Sequence, residues 1–89
     1  MAGRVKVLDR VLRGHSDANV PFEALRGLLR RLGFQERVRG SHHICFKDGI
    51  PEILNLQPRG HSAKPYQVRR QVRAIVLKYR LGGDLNAQI

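Results

Sequence analysis

The sequence predicts an α+β domain, and three observations carry that prediction. Apolar residues recur at helical spacing near the start and near the end of the chain, the middle alternates with period two, and glycines divide it into short strands. At 89 residues with 42% hydrophobic content, the chain can build one modest core and no second one. That core must rely on Leu, Val and Ile, because Trp is absent and only five aromatics occur (Phe22, Phe34, Phe46, Tyr66, Tyr79). A large substrate cleft is therefore not expected.

Val5, Leu8, Val11 and Leu12 recur at helical spacing before Gly14 and predict a short first helix. A polar, turn-rich segment over 14–20 follows. Pro21, acceptable as a first helical residue, then opens a second helix with Phe22, Leu25, Leu28, Leu29 and Leu32 on one stripe, closed at Gly33. FQERVRG predicts a strand through Val38 that stops at Gly40, and HHICFK predicts the next. In HHICFK the pleat places His42, Ile44 and Phe46 on one side and His43, Cys45 and Lys47 on the other. The side with Ile44 and Phe46 is the one expected to pack on the helices.

Asp48-Gly49 is a strong hairpin signal, and EILNLQ is a third strand in which Leu54 and Leu56 share a side. Residues 58–65 are expected to form a loop with proline at both ends. Tyr66 to Arg80 carries Val68, Val72, Ile75, Val76 and Tyr79 on one helical stripe, with Arg69, Arg70, Arg73 and Arg80 opposite it. The chain therefore divides into an N-terminal extension over 1–18, a core over 19–81 and a tail over 82–89, expected to fray.

Seventeen Lys and Arg against seven Asp and Glu give a formal charge of +10, and thirteen of the seventeen are Arg. A planar guanidinium suits phosphate, so the expected partner is a nucleic acid, and a membrane surface is disfavoured. Between Glu52 and Asp84 no acidic residue interrupts Arg59, Lys64, Arg69, Arg70, Arg73, Lys78 and Arg80. Arg26, Arg30 and Arg31 on the second helix, and Arg37 and Arg39 on the first strand, suit phosphate contact and plain solvation equally. One cysteine, Cys45, cannot close an intramolecular disulfide, and no CxxC or HxxxH spacing suggests zinc. No cofactor or metal is expected. The start of the chain lacks the apolar run of a signal peptide, so a cytoplasmic location is expected.

No nucleophile elbow, carboxylate pair or phosphate-cradling glycine loop appears, which leaves histidine as the only plausible acid-base group. A positioned imidazole can take the proton of a ribose 2′-OH, which then attacks the adjacent phosphate while cations stabilise the charge that develops there. Gly40-Ser41-His42-His43 offers such a base just after a flexible turn. Set against this, a histidine pair in a strand is more often structural, and His15 and His61 lie in loops where an ordinary role prevails. Cys45 has no motif around it and is an ordinary strand residue.

The residues from about Phe22 to Leu81, two thirds of the chain, resemble the HicA toxin family of bacterial toxin-antitoxin systems. The resemblance rests on LLRRLGF (Leu28 to Phe34), GSHHICF (Gly40 to Phe46), EILNLQP (Glu52 to Pro58) and AKPYQVRRQVRAIVLKY (Ala63 to Tyr79), in that order. It implies a fold similar to a double-stranded RNA-binding domain, a three-stranded antiparallel sheet against two main helices, with the first short helix as an addition. It further implies a metal-independent endoribonuclease that cleaves messenger RNA, with His42 as the catalytic histidine, and neutralisation by an antitoxin of the HicB type. Ser41, His43, Lys47, Lys64, Arg69, Arg70 and Arg73 are the expected RNA contacts. Strand parity turns His42 toward the helices and leaves His43 facing outward with Lys47, so His43 stands as the second choice of catalytic group. The competing function is an RNA-binding module without chemistry, since the same architecture reads A-form shape through phosphate and 2′-OH contacts.

Overall fold

The computed structural model describes residues 6–14 and 19–82. Helix α1 (Lys6–Arg13) and helix α2 (Phe22–Arg31) precede strands β1 (Gln35–Arg39), β2 (His42–Lys47) and β3 (Ile50–Leu56). A two-stranded ribbon follows, β4 (Pro58–Arg59) and β5 (Ser62–Ala63). A helical run then closes the domain in three segments: α3 (Pro65–Gln67), a π-helical turn (Val68–Val72) and α4 (Arg73–Lys78). The α+β class and the three-stranded antiparallel sheet, ordered β1-β2-β3, agree with the sequence. Val5, His15 and the tail beyond Gly82 lie outside the described residues.

Glycine sets the sheet's turns. Gly40, with φ of 58°, and Ser41 join Arg39 to His42, which face each other across the two strands. A two-residue hairpin loop of this kind favours positive φ at its first central position, where glycine carries no steric penalty. Gly49, with φ of 88°, closes the second hairpin after Asp48. A register shift between Cys45 and Lys47 marks an irregularity in the β2–β3 pairing.

The helices cover one side of this sheet. Leu25, Leu28 and Leu29 of α2, Cys45, Leu54 and Leu56 of the sheet, and Val68, Val72, Ile75 and Val76 of the closing run form one buried cluster. Here the strand reading is corrected: Cys45 is buried against the helices, whereas Ile44 and Phe46 face away. Register is the cause. Cys45 stands opposite Leu54 and His43 opposite Leu56, and directly opposed residues point to the same side of a sheet, so burying the two leucines carries His43 and Cys45 inward.

Three further boundaries differ from the sequence reading. Pro21 is not the first helical residue but stands just before α2 in extended conformation (φ −62°, ψ 134°), where its missing N–H costs no intrahelical bond. Residues 58–65 are not a plain loop, because Pro58 pairs with Ala63 and Arg59 with Ser62. Ala63 N–H also donates to Val20 O at 2.8 Å and Phe22 N–H to His61 O at 2.9 Å, tying the ribbon to the chain before α2. Finally the closing run starts at Pro65 and ends at Lys78, and Arg80 lies beyond it at φ of 54°. Helix α1 belongs to the core: Leu8 and Val11 are fully buried.

One ion network braces the helix side of the sheet. Arg26 of α2 donates to both Glu36 oxygens, at 2.7 and 2.8 Å, and to Glu23, while His43 Nδ1 lies 2.8 Å from Glu36 and its ring meets Phe22 edge-on at 4.9 Å. The Arg26 guanidinium, despite the opposing effect of burial and with help from His43, holds the Glu36 carboxyl at about 2. A carboxyl depressed in the folded state stabilises above its ordinary value of 4.5, and that stability is lost as pH falls toward about 2. Glu36→Gln should therefore lose about 1 to 2 kcal/mol at pH 7, allowing for partial exposure. Denaturant unfolding at pH 7 and at pH 2.5 checks this, with the gap between variant and parent expected to narrow in acid.

Candidate functional site

His42 is the first residue of β2, and the inward turn of His43 places it on the sheet's open side. Its imidazole is exposed and gripped at both nitrogens. Nδ1 lies 3.0 Å from Asn55 Oδ1, and Nε2 lies 3.3 Å from Gln57 Nε2. The amide oxygen of Asn55 can only accept and the amide nitrogen of Gln57 can only donate, so this pattern assigns the proton to Nδ1 and leaves Nε2 as acceptor.

The Gln57 amide owes its orientation to its other partners. Lys64 Nζ donates to Gln57 Oε1 at 2.9 Å, and Gln57 Nε2 also donates to Ser41 Oγ at 3.2 Å. An ammonium has donors only, so it holds the amide oxygen toward itself and turns the nitrogen toward the imidazole. The β3 backbone beneath is fixed by the closing run. Buried Gln67 accepts from Gln57 N–H at 3.0 Å and donates to Asn55 O at 3.3 Å, while Gln71 accepts from Asn55 N–H at 3.3 Å. These side-chain amides replace the neighbouring strand that the edge of β3 lacks.

The expected RNA contacts separate. Ser41 and Lys64 join His42 through Gln57. Arg69 and Arg70 are exposed on the π-helical turn. His43, Lys47 and Arg73 go elsewhere. His43 is turned inward onto Glu36. Lys47 sits at the far end of β2, its Nζ 2.5 Å from where a Cβ on Gly33 would stand. Arg73 is not on a free cationic face, because its Nε donates to Val11 O at 2.6 Å and its guanidinium covers Gly14, a favourable place for a cation at the C-terminal end of α1.

The acid-free cationic stretch is thus less available than its sequence suggests. Lys78 Nζ reaches Glu52 at 2.6 Å, and Tyr79 Oη donates to the same carboxylate at 2.6 Å. Lys78 and then Tyr79 hold the Glu52 carboxyl at about 2.

In exchange, the fold brings up cations that the sequence left undecided. Arg39 faces His42 across the β1–β2 ladder and Arg37 faces Ile44, so both arginines share the open side with the imidazole. Among the described residues neither has an ion-pair or hydrogen-bond partner. Asn55, Gln57 and Gln67 were also not singled out by sequence reasoning. Asn55 on β3 and Gln57 just past its end alternate with Leu54 and Leu56 and could have been found from that signal, but nothing local marks Gln67.

Cys45 is buried, and burial pushes its thiol up to about 11, which makes it a poor nucleophile. Among the described residues, no three His, Cys, Asp or Glu side chains gather as metal ligands would, and no helix is long and apolar enough to cross a membrane. Comparison with protein-family models, with curated proteins and with solved structures finds no match for this chain.

Proposed function

We propose that this protein is an endoribonuclease of the HicA type, with His42 as its catalytic base and messenger RNA as its substrate. The observation that carries the reading is an exposed imidazole whose Nε2 is held as an acceptor by the Asn55 and Gln57 amides, with unpartnered Arg39 across the strand. A ribose 2′-OH would take the position that Gln57 Nε2 holds at 3.3 Å. The hydroxyl proton passes to His42 Nε2, and the 2′-oxygen attacks the adjacent phosphorus. The bond from phosphorus to the 5′-oxygen breaks, leaving a 2′,3′-cyclic phosphate on one fragment and a 5′-hydroxyl on the other once the leaving oxygen takes a proton from water. Arg39 suits the charge that builds on the non-bridging oxygens. Asn55 suits the imidazolium, since it continues to accept from Nδ1–H.

The ammonium of Lys64 has a second role in this scheme as a positioning group, because its hold on Gln57 Oε1 orients the amide that the incoming hydroxyl displaces and so keeps Nε2 an acceptor until substrate arrives. A HicB-type antitoxin would silence such an enzyme by covering His42 and the open side of the sheet. The experiment is induction of the chain alone in bacteria, with growth and total messenger RNA followed in time. Arrest with fragmented messenger RNA is expected, and fragments should carry 2′,3′-cyclic phosphate ends. Soluble protein without arrest or fragments would overturn the reading in favour of an RNA-binding module.

A further inference from the structure

We propose that the open side of the sheet is the binding track for a flexible single strand of RNA, with phosphates on Arg37 and Arg39 and an unstacked base on a shelf of Ile44, Phe46 and Ile53. The proposal deepens the ribonuclease reading by naming the form of RNA that the site takes, and it rests on that reading for the scissile phosphate at His42.

The shelf is a real depression, lined by Arg37, Arg39, Ile44, Phe46 and Ile53. Among the described residues no helix covers it, and Ile53 is 63% exposed. Cross-strand pairing arranges its lining in rows. Arg39 stands opposite His42, Arg37 opposite Ile44, and Ile44 in turn opposite Asn55. Phe46 lies four residues beyond His42 on the same side of β2, about 13 Å away at about 3.3 Å per residue. The cations, the imidazole and the apolar shelf therefore follow one another along a single path.

Charge and chemistry select the occupant. The outward positions of the three strands hold Gln35, Arg37, Arg39, His42, Ile44, Phe46, Pro51, Ile53 and Asn55, without one carboxylate. The acidic groups of the sheet, Glu36 and Glu52, are engaged with Arg26 and Lys78. A surface combining unpaired guanidinium groups with an aromatic and aliphatic platform suits a single strand, whose phosphates and free base faces are both accessible. A duplex would leave the platform idle, since its bases are stacked on one another and it is recognised through phosphates and 2′-hydroxyls.

The test is binding of a 2′-O-methyl oligonucleotide, which lacks the attacking hydroxyl and cannot be cleaved by this route, as a single strand and as a matched duplex. The parent should prefer the single strand. Arg37→Ala with Arg39→Ala should weaken it about tenfold and flatten the log-log salt dependence by roughly 1.4, at about 0.7 for each of two phosphate contacts. Ile53→Ser, at a position too exposed to threaten folding, should weaken it several-fold, while Arg13→Ala on α1, an exposed arginine paired with Asp9, should change it by less than about twofold. Preference for the duplex, or a larger loss from Arg13→Ala than from the sheet variants, would overturn the proposal. So would the absence of any single-strand binding, which would leave this side of the sheet to a protein partner. Cleavage of ordinary RNA by the same proteins separates the two readings. If the parent binds through Arg37 and Arg39 without cleaving, the track stands and the ribonuclease reading falls. If the sheet variants bind and cleave like the parent, the track falls and the ribonuclease reading stands on His42 alone, without a role for Arg39.

Discussion

His42→Ala is expected to slow RNA cleavage by about 10²- to 10⁴-fold, the range that a positioned general base supplies. Affinity for RNA should change little, because binding is spread over several arginines while His42 is one contact among them. The fold should tolerate the change. His42 is exposed at the beginning of its strand, and removing it leaves the amides of Asn55 and Gln57 within reach of water. A loss of rate with unchanged affinity is the signature of an interaction made in the transition state, whereas a residue that merely binds would lower both together. Kinetics at saturating RNA, beside equilibrium binding of an uncleavable oligonucleotide, separates these outcomes.

Leu8→Ala is expected to cost about 2 to 5 kcal/mol of stability, the loss seen when a buried leucine leaves a cavity. Leu8 is fully buried, and its methyl groups approach Gly82 so closely that a Cβ there would collide with Cδ2 at 2.7 Å. The substitution would empty the space between α1 and the chain after the closing run. Arg73 joins the same region by its bond to Val11 O. Small domains have total stabilities near the low end of about 5 to 15 kcal/mol, so one such cavity consumes a large share. Denaturant unfolding should show a lower midpoint with an unchanged slope. A midpoint equal to the parent's would mean that α1 is an appendage with no part in the core.

The order of the main elements is legible in the sequence because each leaves a local signal. The period of Phe22, Leu25, Leu28, Leu29 and Leu32 marks α2, and Gly40 and Asp48-Gly49 mark turns that the fold uses. The side on which each strand residue lies is not legible from β2 alone. Ile44 and Phe46 are more apolar than His43 and Cys45, and local hydrophobicity turns them inward. Pairing with β3 reverses this, since Leu54 and Leu56 outweigh them and register carries His43 and Cys45 along. That single inversion puts His42 on the open side and turns His43 onto Glu36.

The cationic surface fails to follow the sequence for a similar reason. The acid-free stretch after Glu52 looks like a concentrated patch, but Lys78 folds back onto Glu52 and Arg73 onto the end of α1. Arg37 and Arg39, which suit solvation equally well on sequence grounds, acquire significance only when the ladder sets Arg39 opposite His42. Glutamines carry the least local information. Gln67 is 6% exposed and bridges the backbone of Asn55 and Gln57, a role that depends wholly on where the closing run meets the edge of β3.

In the proposed ribonuclease one imidazole, on the open side of the sheet, performs the chemistry. Single-turnover cleavage of one end-labelled RNA by the parent, His42→Ala and His43→Ala, each confirmed as folded by its unfolding transition, tests it most directly. Cleavage by the parent and by His43→Ala is expected, with its loss in His42→Ala. Cleavage that survives in His42→Ala, or that is lost only in His43→Ala, would contradict it.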